Sequence, residues 1–238
     1  MNFRTFVTLI VSAAITFLAL KFELSFNVDL TLLSIAIIFP LVFTIRGSFR
    51  RREKALEHLS EFVSAVKTVK YCLLSSDQIS PEKKAEAEEI LIDINNKTIS
   101  HLADKNNDIR ELDNISHKLY AFALQEENLI PAKIKDRVFK YMKDMHESIE
   151  NLHAIHSHRT PISLMAYCEI FIYIFPFIYA PTIIHNLGMR GADWVAYFIV
   201  LLTQFILISL YNIQNQLEYP FDNIGMDDIN LDNFKIER

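Results

Sequence analysis

Glycine is scarce in this 238-residue chain: Gly47, Gly188, Gly191 and Gly225 are the whole complement, each at a boundary between periodic segments. Nothing inside those segments interrupts a helix. No P-loop or GxGxxG pattern occurs and no stretch alternates strictly between apolar and polar residues, which argues against a nucleotide-binding α/β domain. Cysteine is scarcer still. Cys72 and Cys168 are too few and too far apart for a disulfide framework or a zinc knuckle, and both read as reduced, structural thiols. An excess of basic charge is missing too: 24 Lys and Arg stand against 29 Asp and Glu, a net charge of -5, so nucleic acid is not an expected partner.

What the chain has in abundance is apolar residues, 51% of the total, unevenly spread. Blocks at residues 5–20, 30–45, 170–184 and 194–211 hold most of them, while residues 46–160 are charged and helix-patterned. The expected fold is an all-α membrane protein: four transmembrane helices with a cytosolic helical bundle between the second and third. As regions, 1–46 carry the first two spans, 47–161 the cytosolic helices, 162–216 the last two spans and 217–238 an acidic cytosolic tail, together forming one intertwined domain.

The first block, TFVTLIVSAAITFLAL, has no small-x-small cleavage site after it and reads as a retained helix. The short link KFELSFNVD predicts an antiparallel hairpin with the second span. That second span, LTLLSIAIIFPLVFTI, places Ile35, Phe39 and Phe43 at i, i+4 steps, an apolar ridge roughly 12 Å long that suits lipid, a neighbouring helix or a pore. Pro40 removes one amide from the ladder, so the carbonyl of Ala36 needs another partner or the helix bends. Arg46, Arg50, Arg51, Arg52 and Lys54 follow, against Lys21 and Arg190 in the short links, which puts residues 46–161 and both termini in the cytoplasm. In the third span Glu169 falls near the cytosolic interface, and Pro176 and Pro181 free the carbonyls of Ile172 and Phe177. Trp194 and Tyr197 anchor the fourth span, which Thr203, Gln204, Ser209 and Asn212 make too polar for full exposure to lipid.

Between the second and third spans, Leu56, Leu59, Phe62, Val66, Val69 and Leu73 continue the second helix into the cytosol. Ser80 with Pro81 opens a further helix, Asn107 or Asp108 another, and Pro131 a last one. That last helix ends in HAIHSHRTP. His153 and His156 share a face, as a metal pair would, but no Cys or carboxylate completes a ligand set, and with His158 they read as a solvated or headgroup-facing cluster.

After the fourth span, Glu218, Asp222, Asp227, Asp228 and Asp232 gather five carboxylates in fifteen residues, with Pro220 and Gly225 supplying turns. Hard oxygen ligands suit calcium, and a solvated acidic turn is the alternative. The spacing departs from an EF-hand loop because Ile224 and Met226 stand where oxygen ligands belong.

At Glu218, Pro220, Phe221 and the Asp227, Asp228 and Asp232 that follow, the chain resembles the bestrophin family of ion channels, through that family's E-x-P-F segment and acidic cluster. The ridge of Ile35, Phe39 and Phe43 resembles the family's pore neck in type, spacing and place, and Phe49 and Arg51 fit the positions after it. The family's Trp pair after the neck is absent, and RTPISLMAYCEIF matches its Pro-containing segment only loosely, so no second constriction is carried over. The resemblance implies a homopentamer with five second spans around a pore, in contact with membrane lipid and conducting chloride or other small anions. A cation-conducting homologue is the alternative within that family. It implies calcium as the only candidate cofactor, with no catalytic residue and no other metal. From the residues alone, the competing reading is a membrane-anchored interaction or sensor protein whose cytosolic helices bind a partner.

Overall fold

The computed structural model describes residues 3–104, 108–125, 130–188, 193–225 and 227–236. Within them the chain forms seven α-helices and no strand: α1 (Phe3–Lys21), α2 (Leu30–Leu74), α3 (Pro81–Ala103), α4 (Arg110–Gln125), α5 (Ala132–Ser157), α6 (Ile162–Leu187) and α7 (Asp193–Leu217). A short 3-10 helix, Leu231–Phe234, follows in the tail. Four stretches are long and apolar enough to cross a membrane: α1, α2, Ile134–Leu187 through its apolar α6 part, and α7. The chain is an integral membrane protein. Two compact units divide it: residues 1–49 with 160–218, and residues 50–159 with 219–238.

The first unit contains α1, the beginning of α2, α6 and α7. Its core packs Ile37 and Leu41 of α2 on Cys168, Ile172 and Phe175 of α6 and on Leu207, Ile208 and Tyr211 of α7. Helix α1 packs closely on α7 and α6. Its buried face explains this: Thr5, Thr8, Ser12, Thr16 and Ala19 are small and let backbones approach. The hydroxyls of Thr8, Ser12 and Thr16 donate back to carbonyls four residues earlier, and Asn212 Nδ2 donates to Thr5 Oγ1 at 2.8 Å.

Proline positions in this unit are matched by donors from neighbouring helices. Helix α2 runs unbroken through Pro40, and the Ala36 carbonyl accepts from the Tyr167 hydroxyl at 3.3 Å. Opposite Pro176, the Ile172 carbonyl accepts from Gln204 Nε2 at 2.9 Å. A polar residue in the apolar α7 thus answers a proline in α6. Replacing Gln204 by Leu is expected to cost about 1 kcal/mol in the parent and close to nothing in a Pro176→Ala background, where the restored amide takes the Ile172 carbonyl. Thermal unfolding of the two single variants and the double variant checks this, and equal costs in both backgrounds would mean Gln204 acts through packing alone.

The second unit is a helical bundle around Leu59, Phe62 and Val66 of α2, Leu91 and Ile94 of α3, Leu119 of α4, and Met145 and Leu152 of α5. Local signals set its helix starts. Ser80 Oγ accepts from the Lys83 amide with Pro81 in the first turn, and Asp108 Oδ1 accepts from the Arg110 amide. Asn107, the other expected start, lies outside the described residues. Gly47 is not a boundary: it lies inside α2, where an added Cβ would meet no atom within 4 Å. The tail belongs to this unit through Phe221, Ile229 and Leu231. Buried Asn95 on α3 clasps it with both amide atoms, donating to the Phe234 carbonyl and accepting from the Ile236 amide, each at 3.0 Å.

Candidate functional site

The apolar ridge lies on the exposed face of α2, outside the core clusters of the described residues. Ile35, Phe39 and Phe43 are 46, 57 and 60% exposed, and the Phe39 and Phe43 rings sit 6.0 Å apart. Buried Ile37, Leu41, Thr44 and Ser48 lie roughly 170° around the helix from the centre of the ridge, at about 100° per residue. Two sides of one helix are therefore committed differently: one to α6 and α7, the other outward. Coverage is thinnest on this helix, with 17% of its most apolar window buried against 33% in α1 and in α7. Leu32, Ile38 and Val42 widen the uncovered band.

Glu218, just past α7, is 2% exposed and binds within the first unit. Its Oε2 accepts from Ser48 Oγ and from Thr160 Oγ1, each at 2.8 Å, and its Oε1 accepts from the Thr160 amide at 2.7 Å. One buried carboxylate so joins α2, the approach to α6 and the end of α7. Ser48 and Thr160 were not singled out from the sequence. Glu169, on α6, accepts from the Tyr211 hydroxyl at 3.0 Å and lies 3.8 Å from Arg4.

The four aspartates of the candidate calcium set lie in the second unit, apart from Glu218. Asp222 Oδ1 accepts from the Ile224 amide and Asp228 Oδ2 from the Gly225 amide. Burial, followed by a hydrogen bond with Asp222, holds the Asp228 carboxyl above the usual carboxylate range, against the amides of Gly225 and Ile224. The fold thus brings Asp222 and Asp228 together. Asp227 contributes its backbone carbonyl to Arg52 Nε, and Asp232 pairs with Lys235 at 2.7 Å. Met226 lies outside the described residues. Among the described residues no group of three or more His, Cys, Asp or Glu is placed to hold a metal ion. Calcium takes six to eight oxygens, of which this arrangement brings together those of Asp222 and Asp228.

The histidines regroup. His158 contacts Ser157 beside it, whereas His153 and His156 meet His101 of α3 in the second unit. Of the cluster read in HAIHSHRTP as solvated or headgroup-facing, His158 is exposed, while His153 and His156 meet a partner from α3 that no local spacing announces.

No protein-family model and no curated protein matches the sequence. Among solved structures, a bacterial bestrophin homolog from Klebsiella pneumoniae aligns with a TM-score of 0.78 at 14% identity, over 98% of this chain and 93% of that one. Two single-mutation forms of the Klebsiella pneumoniae bestrophin homolog align with TM-scores of 0.76 and 0.77, each at 15% identity and the same coverage. Nearly the full length of both chains is shared, so the resemblance first carried by the ridge and the E-x-P-F segment holds for the whole architecture: this chain has the bestrophin fold.

Proposed function

We propose that the chain is the subunit of a bestrophin-type ion channel, a homopentamer in which five copies of α2 surround the pore and Ile35, Phe39 and Phe43 form its neck. The observation that carries this reading is the ridge itself, exposed in the protomer on the side of α2 opposite its packing face. Surrounding five such faces with one another would bury them without lipid, and the bestrophin fold supplies the frame. An apolar ring of this kind restricts ions by excluding water, and it carries no charge to distinguish them. The proposed permeant ions are chloride and other small anions.

In the proposed topology the second unit and both termini are cytoplasmic, following Arg46 and Arg50 to Arg52 after the apolar part of α2. Calcium stays a proposal confined to Asp222 and Asp228. It predicts that calcium raises the melting temperature of the parent but not of a variant with Asp222→Asn and Asp228→Asn, and no rise in the parent removes calcium from the account.

Oligomeric state tests the proposal. Purified in detergent and imaged by negative stain, the protein is expected as rings of five around an axial hole. A monomer or dimer at every detergent concentration would contradict the channel and favour a membrane-anchored interaction protein.

A further inference from the structure

His101, at the end of α3, and His153, on α5, are 52 residues apart in the chain, yet His101 Nε2 stands 3.0 Å from His153 Nδ1. Their ring centroids are 5.2 Å apart, and His156, three residues further along α5, places its ring 5.4 Å from that of His101. His156 also packs on Phe221 of the tail at 6.4 Å between centroids. Its Nε2 is buried without a hydrogen-bond partner among the described residues, while the ring bonds to the backbone of Asp104. Such an arrangement suits neutral rings. In the His101 to His153 contact one nitrogen donates and the other accepts, so the bond survives a proton on the far nitrogen of the donating ring and is lost only when both rings are fully protonated. A proton on the buried Nε2 of His156 would be a charged donor with no acceptor.

We propose that this trio is a proton-operated latch that holds α3, α5 and the Phe221 end of the tail together while its rings are neutral, and loosens them when a proton is taken up. The charged groups around it are Asp104 and Asp108 beside His101, and Arg159 and Asp104 beside His156. Asp108, held down to about 2 by its hydrogen bond with Arg110, stays charged throughout. Arg159, stacked at 4.1 Å over the Tyr219 ring, adds a fixed positive charge. Burial first, then His156 and His153, hold His101 below the ordinary imidazole range, against Asp104 and Asp108. Burial first, then Arg159 and His153, do the same for His156, against Asp104.

The sign follows from these directions. A histidine that titrates lower when folded contributes its full stability above the unfolded value near 6.5, and loses it as pH falls from there through the folded value. Asp228 works the other way, because a carboxyl raised in the fold is favoured by acid. Acid loosening of the tail therefore belongs to the imidazoles.

The test is hydrogen exchange on the full-length protein in detergent, with EDTA in every buffer, at pH 7.5 and pH 5.5 and corrected for intrinsic rates. Amides of residues 221–236, and of α3 around Asn95, are expected to lose about tenfold or more of their protection at the lower pH. A variant with His101→Gln and His156→Asn is expected to lose less than about twofold. Unchanged protection in the parent overturns the latch, with or without a folded variant. So does an equal loss in parent and variant, or a loss spread evenly over α1 and α7.

Discussion

Replacing Ile35, Phe39 and Phe43 together by alanine is expected to increase the current carried by the reconstituted protein, while its melting temperature stays near that of the parent. Both halves of this expectation follow from the exposure of the three side chains in the protomer. They pack on no core of their own subunit, so their removal leaves Ile37 and Leu41 seated on α6 and α7. In the proposed pentamer, smaller side chains would widen the ring and lower the cost of wetting it. Selectivity should shift little, since neither the parent ring nor the alanine ring carries charge. Unchanged currents together with a large loss of stability would make the ridge a packing surface. Patch or bilayer current, read beside thermal unfolding of the same preparation, separates the two outcomes.

Substituting Glu218 by alanine is expected to have the largest effect on stability of any single change in the first unit. Removal of the carboxylate leaves the Ser48 hydroxyl, the Thr160 hydroxyl and the Thr160 amide without their acceptor. Each orphaned buried donor costs about 1–3 kcal/mol, so the sum is about 3 kcal/mol or more. For a chain of this size that corresponds to a fall of about 6–12 °C in melting temperature. Glu218→Gln should fall between parent and alanine, because one carbonyl oxygen remains to accept. Unchanged melting of the alanine variant would mean that the carboxylate is hydrated, free to serve a cation like the aspartates after it.

Those two residues sets also mark where sequence reasoning reached and where it stopped. The ridge was legible because its period belongs to one helix. So was the need for a partner at Ala36, which Tyr167 fills, and the exclusion of Gln204 from lipid, which its bond to Ile172 explains. Glu218 was grouped with the aspartates by proximity in sequence, whereas its hydrogen-bond partners in the fold lie 170 and 58 residues away. His101 escaped notice for the same reason. The packing of α1 on α6 and α7 was not read from the sequence, because link length says which helix comes next, whereas the small-residue face decides which helix can come close. Against the Klebsiella pneumoniae homolog, only 14% of aligned residues are identical. Apolar residues of similar volume exchange readily within packed helices, so the spacing of the ridge and of the E-x-P-F segment carried more than overall similarity.

The central claim is conduction, and recording from the purified protein in planar bilayers under asymmetric potassium chloride tests it most directly. The account predicts discrete unitary currents whose reversal potential lies toward that of chloride, enlarged by the triple alanine substitution in the neck. A reversal toward potassium would keep the pore and change its ion. Bilayers that contain the incorporated protein and pass no more current than protein-free ones would contradict the account.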